Sequence, residues 1–156
     1  MAQGEKTVVQ NRRAFHDYAI EERYEAGIVL RGSEVKSLRE GRAQIREAYG
    51  VVRDQEAFLL GMHISPYSAA STHEQLDPAR ARKLLLRRDE IQKLARATQE
   101  KGLTLIALRV YFTHGLAKVE LGLARGKRAY DRRHDIAARE AQREMDRARR
   151  RLEKGR

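Results

Sequence analysis

The chain has 156 residues and contains no cysteine, no tryptophan and only two prolines. The missing cysteine excludes disulfides, thiolate zinc sites and cysteine nucleophiles. It fits a reducing compartment, so a cytoplasmic location is expected. No apolar run approaches the ~20 residues that span a bilayer, and residues 1–10 carry no apolar leader segment. No membrane association is expected. The five histidines (His16, His63, His73, His114 and His134) show no metal-ligand spacing, so neither metal nor cofactor is expected. Ser65 and Ser71 lie two residues from His63 and His73, but no nucleophile-elbow glycines surround them. There is no phosphate-cradling glycine loop either. The sequence makes no case for an enzyme.

What the chain has is positive charge, unevenly placed. From Arg125 to Arg156 there are 13 Lys/Arg against 6 Asp/Glu, a net +7, whereas residues 1–124 carry the remaining +4 of the +11 total. A nearly balanced body with a basic extension is the footprint of a polyanion binder. Nucleic acid is the natural polyanion, because Lys/Arg–phosphate contacts supply most sequence-independent affinity there.

Residues 1–12 are polar and read as a flexible N-terminus. Residues 13–124 read as one globular domain and 125–156 as a tail. Phe15, Tyr18, Ile20, Tyr24 and Ile28–Leu30 predict two strands meeting near Glu25-Ala26-Gly27. Gly32-Ser33 offers the N-cap of a short helix. Strands are predicted over 48–53 and 57–64 around a turn at 54–56, then a polar connection over 65–78. Ile91, Leu94, Ala95 and Thr98 share one face of a helix over 87–101 that Gly102 ends. Two long strands, 104–113 and 116–123, flank His114-Gly115. The fold class is therefore mainly β: a small, closed β-barrel of about six strands with two or three short flanking helices. In the tail, Ala138, Ala141, Met145, Ala148 and Leu152 recur at helical spacing after Asp135, which is placed to cap them. The stripe is poor in large side chains, so the tail is expected to be mobile when free and helical against a partner.

Five segments then stand in order: Asn11-Arg12-Arg13-Ala14-Phe15-His16-Asp17-Tyr18, Tyr24-Glu25-Ala26-Gly27, Gly32-Ser33-Glu34-Val35-Lys36-Ser37-Leu38-Arg39, Lys83-Leu84-Leu85-Leu86, and Gly126-Lys127-Arg128-Ala129-Tyr130-Asp131-Arg132-Arg133. Together they resemble the SmpB family, the SsrA (tmRNA)-binding proteins of bacterial trans-translation, over nearly the whole chain. The resemblance implies an oligonucleotide-binding-type barrel that binds the tRNA-like domain of tmRNA. It also implies delivery, with elongation factor Tu, to ribosomes stalled on messages without a stop codon. A monomer is expected.

By motif, the resemblance assigns tmRNA binding to Glu25, Leu85 and Lys118. Lys118 on a strand face suits phosphate, or is a solvated strand lysine. Leu85 is either an apolar contact to an unstacked base or sugar, or core. Glu25 repels phosphate; it either meets a base edge or ribose, or is an ion-pair carboxylate. Asn11, Arg13 and Tyr18 combine basic and stackable groups suited to looped RNA, although Tyr18 is equally a core aromatic with a satisfied hydroxyl. Arg80, Arg82, Lys83, Arg87 and Arg88 form a second basic cluster with RNA-binding character.

In the tail, Gly126 is the expected hinge. Lys127, Arg128, Tyr130, Asp131, Arg132 and Arg133 occupy the family's positions for the small-subunit decoding centre. The helix beyond would read the empty mRNA channel. Arg replaces Lys at several of these places, and Tyr130 stands where many members have His. Two other readings remain at this level: a general single-strand nucleic-acid binder, and a ribosome-associated structural protein.

Overall fold

A computed structural model describes residues 5–67, 76–126 and 131–154. The elements run β1 (Lys6–Gln10), α1 (Arg12–Asp17), β2 (Tyr18–Ile28), α2 (Gly32–Arg39), β3 (Ala43–Gln44), β4 (Tyr49–Arg53), β5 (Glu56–Leu60), β6 (His63–Ile64), β7 (Arg82–Leu85), α3 (Arg88–Gln99), β8 (Thr104–Thr113), β9 (Leu116–Gly126) and α4 (Asp131–Lys154). Six strands close a ring in the order β8-β4-β5-β7-β2-β9, with β9 pairing back to β8. This is the expected barrel. Closure leaves the ring no free edge to recruit a foreign strand.

Both hairpins turn as their sequences require. Asp54 and Gln55 have φ of 49° and 65°, and His114 and Gly115 have φ of 51° and 78°. Two consecutive left-handed residues match the twist of a two-residue hairpin. Inside the ring the strands bury alternate residues, among them Leu59, Leu84, Val110, Val119 and Leu121. Leu38 of α2 and Leu94 of α3 complete this core, and both are fully buried. At the starts of α2 and α3 a glutamate reaches back to the amide three residues earlier, Glu34 Oε1 to Arg31 N at 2.9 Å and Glu90 Oε1 to Arg87 N at 3.1 Å.

Several local expectations are corrected. The strand predicted over 57–64 breaks at the left-handed Gly61 (φ 79°) into β5 and β6, and α2 takes Arg31, not Gly32-Ser33, as its N-cap. Residues 6–10 are not loose but form β1, which pairs with Lys6 opposite Phe112 and Gln10 opposite Arg109. Residues 12–17 are helical, because α1 lays Ala14 on a second apolar cluster with Ile106, Leu108 and Ala124. The rest of that segment is one strand, β2, rather than two. Arg82–Leu85 is an additional strand, which pairs with both β5 and β2.

The chain divides into two compact units, Met1–Arg125 and Gly126–Arg156. The second contains the 24-residue helix α4, about 36 Å long at 1.5 Å per residue. It begins at Asp131, so Asp135 lies within it and does not cap it.

A candidate nucleic-acid interface

The outer wall formed by β7, β2, β9 and β8 brings together residues far apart in sequence. Leu85 is paired with Gly27. Both point away from the core that Leu84, Ala26 and Ile28 enter. A Cβ on Gly27 would stand 3.2 Å from Leu85 Cβ, so the glycine lets the leucine lie over β2. Leu85 is 55% exposed, and Val29, 45% exposed, follows on the same face. The core reading of Leu85 therefore does not hold. Two residues before Gly27, the exposed Glu25 accepts a hydrogen bond from the Tyr111 hydroxyl. Tyr111 lies opposite Lys118 in the β8–β9 ladder. Because β2 and β8 both flank β9, the Tyr111–Glu25 bond crosses β9 at the level of Lys118. Lys118 is half-buried and makes no ion pair among the described residues.

Arg109 organises the base of this wall. Its Nε donates to Glu120 Oε2 at 3.0 Å, one terminal nitrogen donates to Glu5 Oε1 at 2.6 Å and the other to Thr7 Oγ1 at 3.1 Å. Its guanidinium also stacks over the Tyr111 ring at 4.1 Å. Burial works against its charge, but the carboxylates of Glu5 and Glu120 outweigh that and raise its pKa. Arg109 is thus committed to the protein and is not available to phosphate. Burial first, and then the hydrogen bond and charge of Glu25, push the Tyr111 phenol far above its usual value. It remains a donor at any physiological pH.

Arg109 and Tyr111 were not singled out in the sequence. A bulge explains why. The β8–β9 register shifts between Ala107 and Arg109. Leu108 and Arg109 consequently both face outward, the former under α1 and the latter into the ion network. Strict alternation from Leu105 puts Arg109 in the core. A charged residue at a core phase is the signal that a bulge has reset it.

Beside the wall, α1 presents Phe15, 47% exposed. The Arg23 guanidinium lies 5.3 Å from its ring centre and also pairs with Glu120 at 3.2 Å. Arg13 is exposed and bonds Asp17 at 3.3 Å. Tyr18 is half-buried in the cluster beneath α1, and burial followed by the charge of Asp17 raises its pKa.

Asn11 is placed elsewhere. One edge of β8 pairs with β4 at Leu105 and Ile106, then with β1 from Arg109 onward. Asn11 fills the gap between them. Its amide donates to Leu108 O at 2.8 Å, and its Nδ2 donates to Ala107 O at 3.1 Å and Ile45 O at 3.2 Å. It is buried, with a structural task and no outward face.

The second basic cluster also divides. Arg82 is fully buried, bonding Glu34 Oε2 at 2.9 Å, Met62 O at 2.8 Å and Pro78 O at 2.9 Å. It holds the fold and cannot meet RNA. Arg80 is committed to the same Glu34. Lys83 is half-exposed and reaches Glu56 at 3.3 Å. Arg87 pairs with Asp89 at 3.3 Å.

Gly126 ends β9. Lys127, Arg128 and Tyr130 lie outside the described residues. Asp131, Arg132 and Arg133 begin α4, and their side chains likewise lie outside.

A shallow cavity of about 240 Å³ between α3 and the β4–β5 turn, lined by Val52, Asp54, Ile91 and Gln92, falls short of the ~300–1,000 Å³ usual for small-ligand sites. Among the described residues no group of three His, Asp or Glu is placed to hold a metal, and no helix is long and apolar enough to cross a membrane.

These features define a class: a closed oligonucleotide-binding-type barrel with a patterned outer wall, followed in the chain by a basic helix. Comparison with known proteins narrows it. The SmpB protein family model matches residues 8–151. SsrA-binding proteins of Thermobifida fusca and Cupriavidus taiwanensis are 56% and 55% identical, over 96% and 90% of this chain and 92% and 95% of their own. A solved chain from "tmRNA-SmpB: a journey to the center of the bacterial ribosome" is 50% identical, with a TM-score of 0.65 over 78% of this chain and 85% of its own. The chain belongs to the SmpB family.

Proposed function

We propose that this protein is a non-catalytic adaptor that binds the tRNA-like domain of tmRNA and brings it to stalled ribosomes. One observation carries the reading. Glu25, Leu85 and Lys118 lie 33 or more positions apart in sequence, yet stand on neighbouring strands of one outer wall. The relatives' names, SsrA-binding protein, and the tmRNA–SmpB complex in the bacterial ribosome support it. Delivery with elongation factor Tu, as a monomer in the cytoplasm, belongs to the same reading.

The two units divide the labour. The barrel wall supplies RNA recognition, with Arg13, Tyr18 and Lys83 at its margins. The tail, through Lys127, Arg128, Tyr130, Asp131, Arg132 and Arg133, meets the decoding centre, and α4 occupies the empty mRNA channel. The basic excess of residues 125–156 suits a path along ribosomal RNA.

A competition gel shift at physiological salt tests the reading. The labelled tRNA-like domain is challenged with itself, an elongator tRNA and an unstructured RNA. Displacement by the tRNA-like domain alone supports the adaptor. Equal displacement by all three sinks it in favour of a general single-strand binder.

A further inference from the structure

We propose that Tyr111 is a positioning residue for RNA recognition: it fixes one oxygen of Glu25 so that the other faces the ligand as a hydrogen-bond acceptor. The ligand group is a donor on a nucleoside, either the amino or imino edge of a base or a ribose 2′-hydroxyl. The inference rests on the proposed RNA-binding role of this wall.

The geometry points this way for three reasons. First, a carboxylate on a surface that meets RNA is unfavourable unless it meets a donor. Glu25 is exposed, and its bond to Tyr111 engages Oε2. Second, Tyr111 is only 1% exposed, and Arg109 stacked on its ring is itself held by Glu120, Glu5 and Thr7. The phenol is thus anchored from below by a network joining β1, β8 and β9. An anchored donor lowers the conformational entropy that Glu25 loses on binding. Third, the wall around it is charge-balanced. Arg109 and Arg23 are both paired with Glu120, and Lys118 is the cation beside the crossing. Attraction to phosphate is therefore weak there, and selectivity falls to directed hydrogen bonds. A carboxylate accepts from guanine N1 and N2, from cytosine N4 or from a 2′-hydroxyl, and repels a bare phosphate. Next to Lys118, it favours a nucleoside edge held beside its own phosphate over backbone alone.

The test is a double-mutant cycle in the full-length protein with Tyr111→Phe, Glu25→Gln and the pair. Affinities for the tRNA-like domain and for an unstructured RNA are measured alongside thermal midpoints. Tyr111→Phe keeps the buried ring and removes only the hydroxyl. Affinity for the tRNA-like domain is expected to fall about tenfold with little change for unstructured RNA. Tyr111→Phe should add nothing in the Glu25→Gln background, because the hydroxyl acts through the carboxylate. Additive losses, or equal loss for both RNAs, would overturn the inference. Should Tyr111→Phe fold poorly, Glu25→Gln on the exposed side decides: unchanged affinity for the tRNA-like domain overturns the inference, because the acceptor that Tyr111 would position then does not matter. Inosine-for-guanosine and 2′-deoxy substitutions in the RNA are scored against wild type and Glu25→Gln. A substitution that harms wild-type binding but not Glu25→Gln identifies the donor as a guanine amino group or a ribose hydroxyl; if every interference is the same in both proteins, Glu25 meets no guanine amino group or ribose hydroxyl. Cytosine is covered by replacing it with uridine. Wild-type protein that fails to prefer the tRNA-like domain defeats the proposed function itself, whereas preference unaffected by Tyr111→Phe defeats this inference alone.

Discussion

Arg82 on β7 and Glu34 on α2 form a buried ion pair, with Nε donating to Oε2 at 2.9 Å and side-chain exposures of 0% and 5%. Burial alone raises the Glu34 carboxyl. Hydrogen bonds from Arg80, the Arg31 amide and Arg82 outweigh it and hold the pKa below its ordinary value. A carboxyl depressed in the folded state stabilises the protein above its unfolded pKa, and that stability is lost as pH falls through the folded value. Denaturant melts from neutral to acid pH should therefore lose stability below the ordinary carboxylate range. Glu34→Gln should lie lower at neutral pH and show a flatter acid limb. Arg82→Ala, which leaves Glu34 buried and short of a partner, should cost about 3–5 kcal/mol. An acid limb unchanged by Glu34→Gln would refute the linkage.

Asn11 closes the seam where β8 passes from β4 to β1, donating to carbonyls on two segments. Asn11→Ala strands those carbonyls, at about 1–3 kcal/mol. Asn11→Asp should be worse, because it sets a carboxylate, which has only acceptors, against carbonyl oxygens. Urea midpoints should rank wild type above Ala and Ala above Asp. RNA affinity of the folded Ala variant should match wild type; a selective loss of affinity would return Asn11 to the binding surface.

Two left-handed glycines should respond differently to alanine. Gly61 has φ of 79°, and a Cβ there would lie 2.6 Å from the Glu47 carbonyl oxygen. Gly102 has φ of 68° with nothing within 4 Å. Gly102→Ala carries only the conformational cost, ~1–2 kcal/mol. Gly61→Ala adds a clash with backbone that cannot rotate away, so its thermal midpoint should fall well below that of Gly102→Ala. Equal midpoints would mean that the β5–β6 connection shifts freely.

Much of this was legible in the sequence, and the exceptions have physical causes. The two hairpins and α3 followed from local signals: turn residues with left-handed φ, and an apolar face around Leu94. The β1 and α1 segments did not. Val8 and Val9 offer too little apolar surface to announce a strand, and its hydrogen bonds come from Arg109–Phe112, about a hundred residues away. Helix α1 is six residues long, too short to be stable alone, and exists because Ala14 docks on Leu108 and Ile106. At the site, family resemblance found Glu25, Leu85 and Lys118, but only the ring order made them neighbours. Arg82 read as one more surface arginine, because a buried guanidinium depends on carbonyls of Met62 and Pro78 that no spacing rule connects to it.

Charge placement separates specific from electrostatic binding. Among the described residues, every member of both apolar clusters lies before position 125, so a chain ending at Gly126 should fold with a nearly unchanged thermal midpoint. Residues 127–156 hold 12 Lys/Arg and 6 Asp/Glu. With six net charges and about 0.7 counterions released per phosphate on single strands, their removal should flatten the log–log salt dependence for unstructured RNA by up to ~4. The wall keeps most of its cations paired, as at Arg109–Glu120 and Lys83–Glu56, so the shortened protein should bind the tRNA-like domain with near wild-type affinity and a shallow slope. Lys118→Ala in that same background should then weaken binding further and flatten the slope by about one. Tagging of nascent chains on stalled ribosomes should be lost on truncation although RNA binding persists. If truncation instead abolished binding to the tRNA-like domain, recognition would reside in the tail, and the wall of β7, β2, β9 and β8 would not be the RNA site.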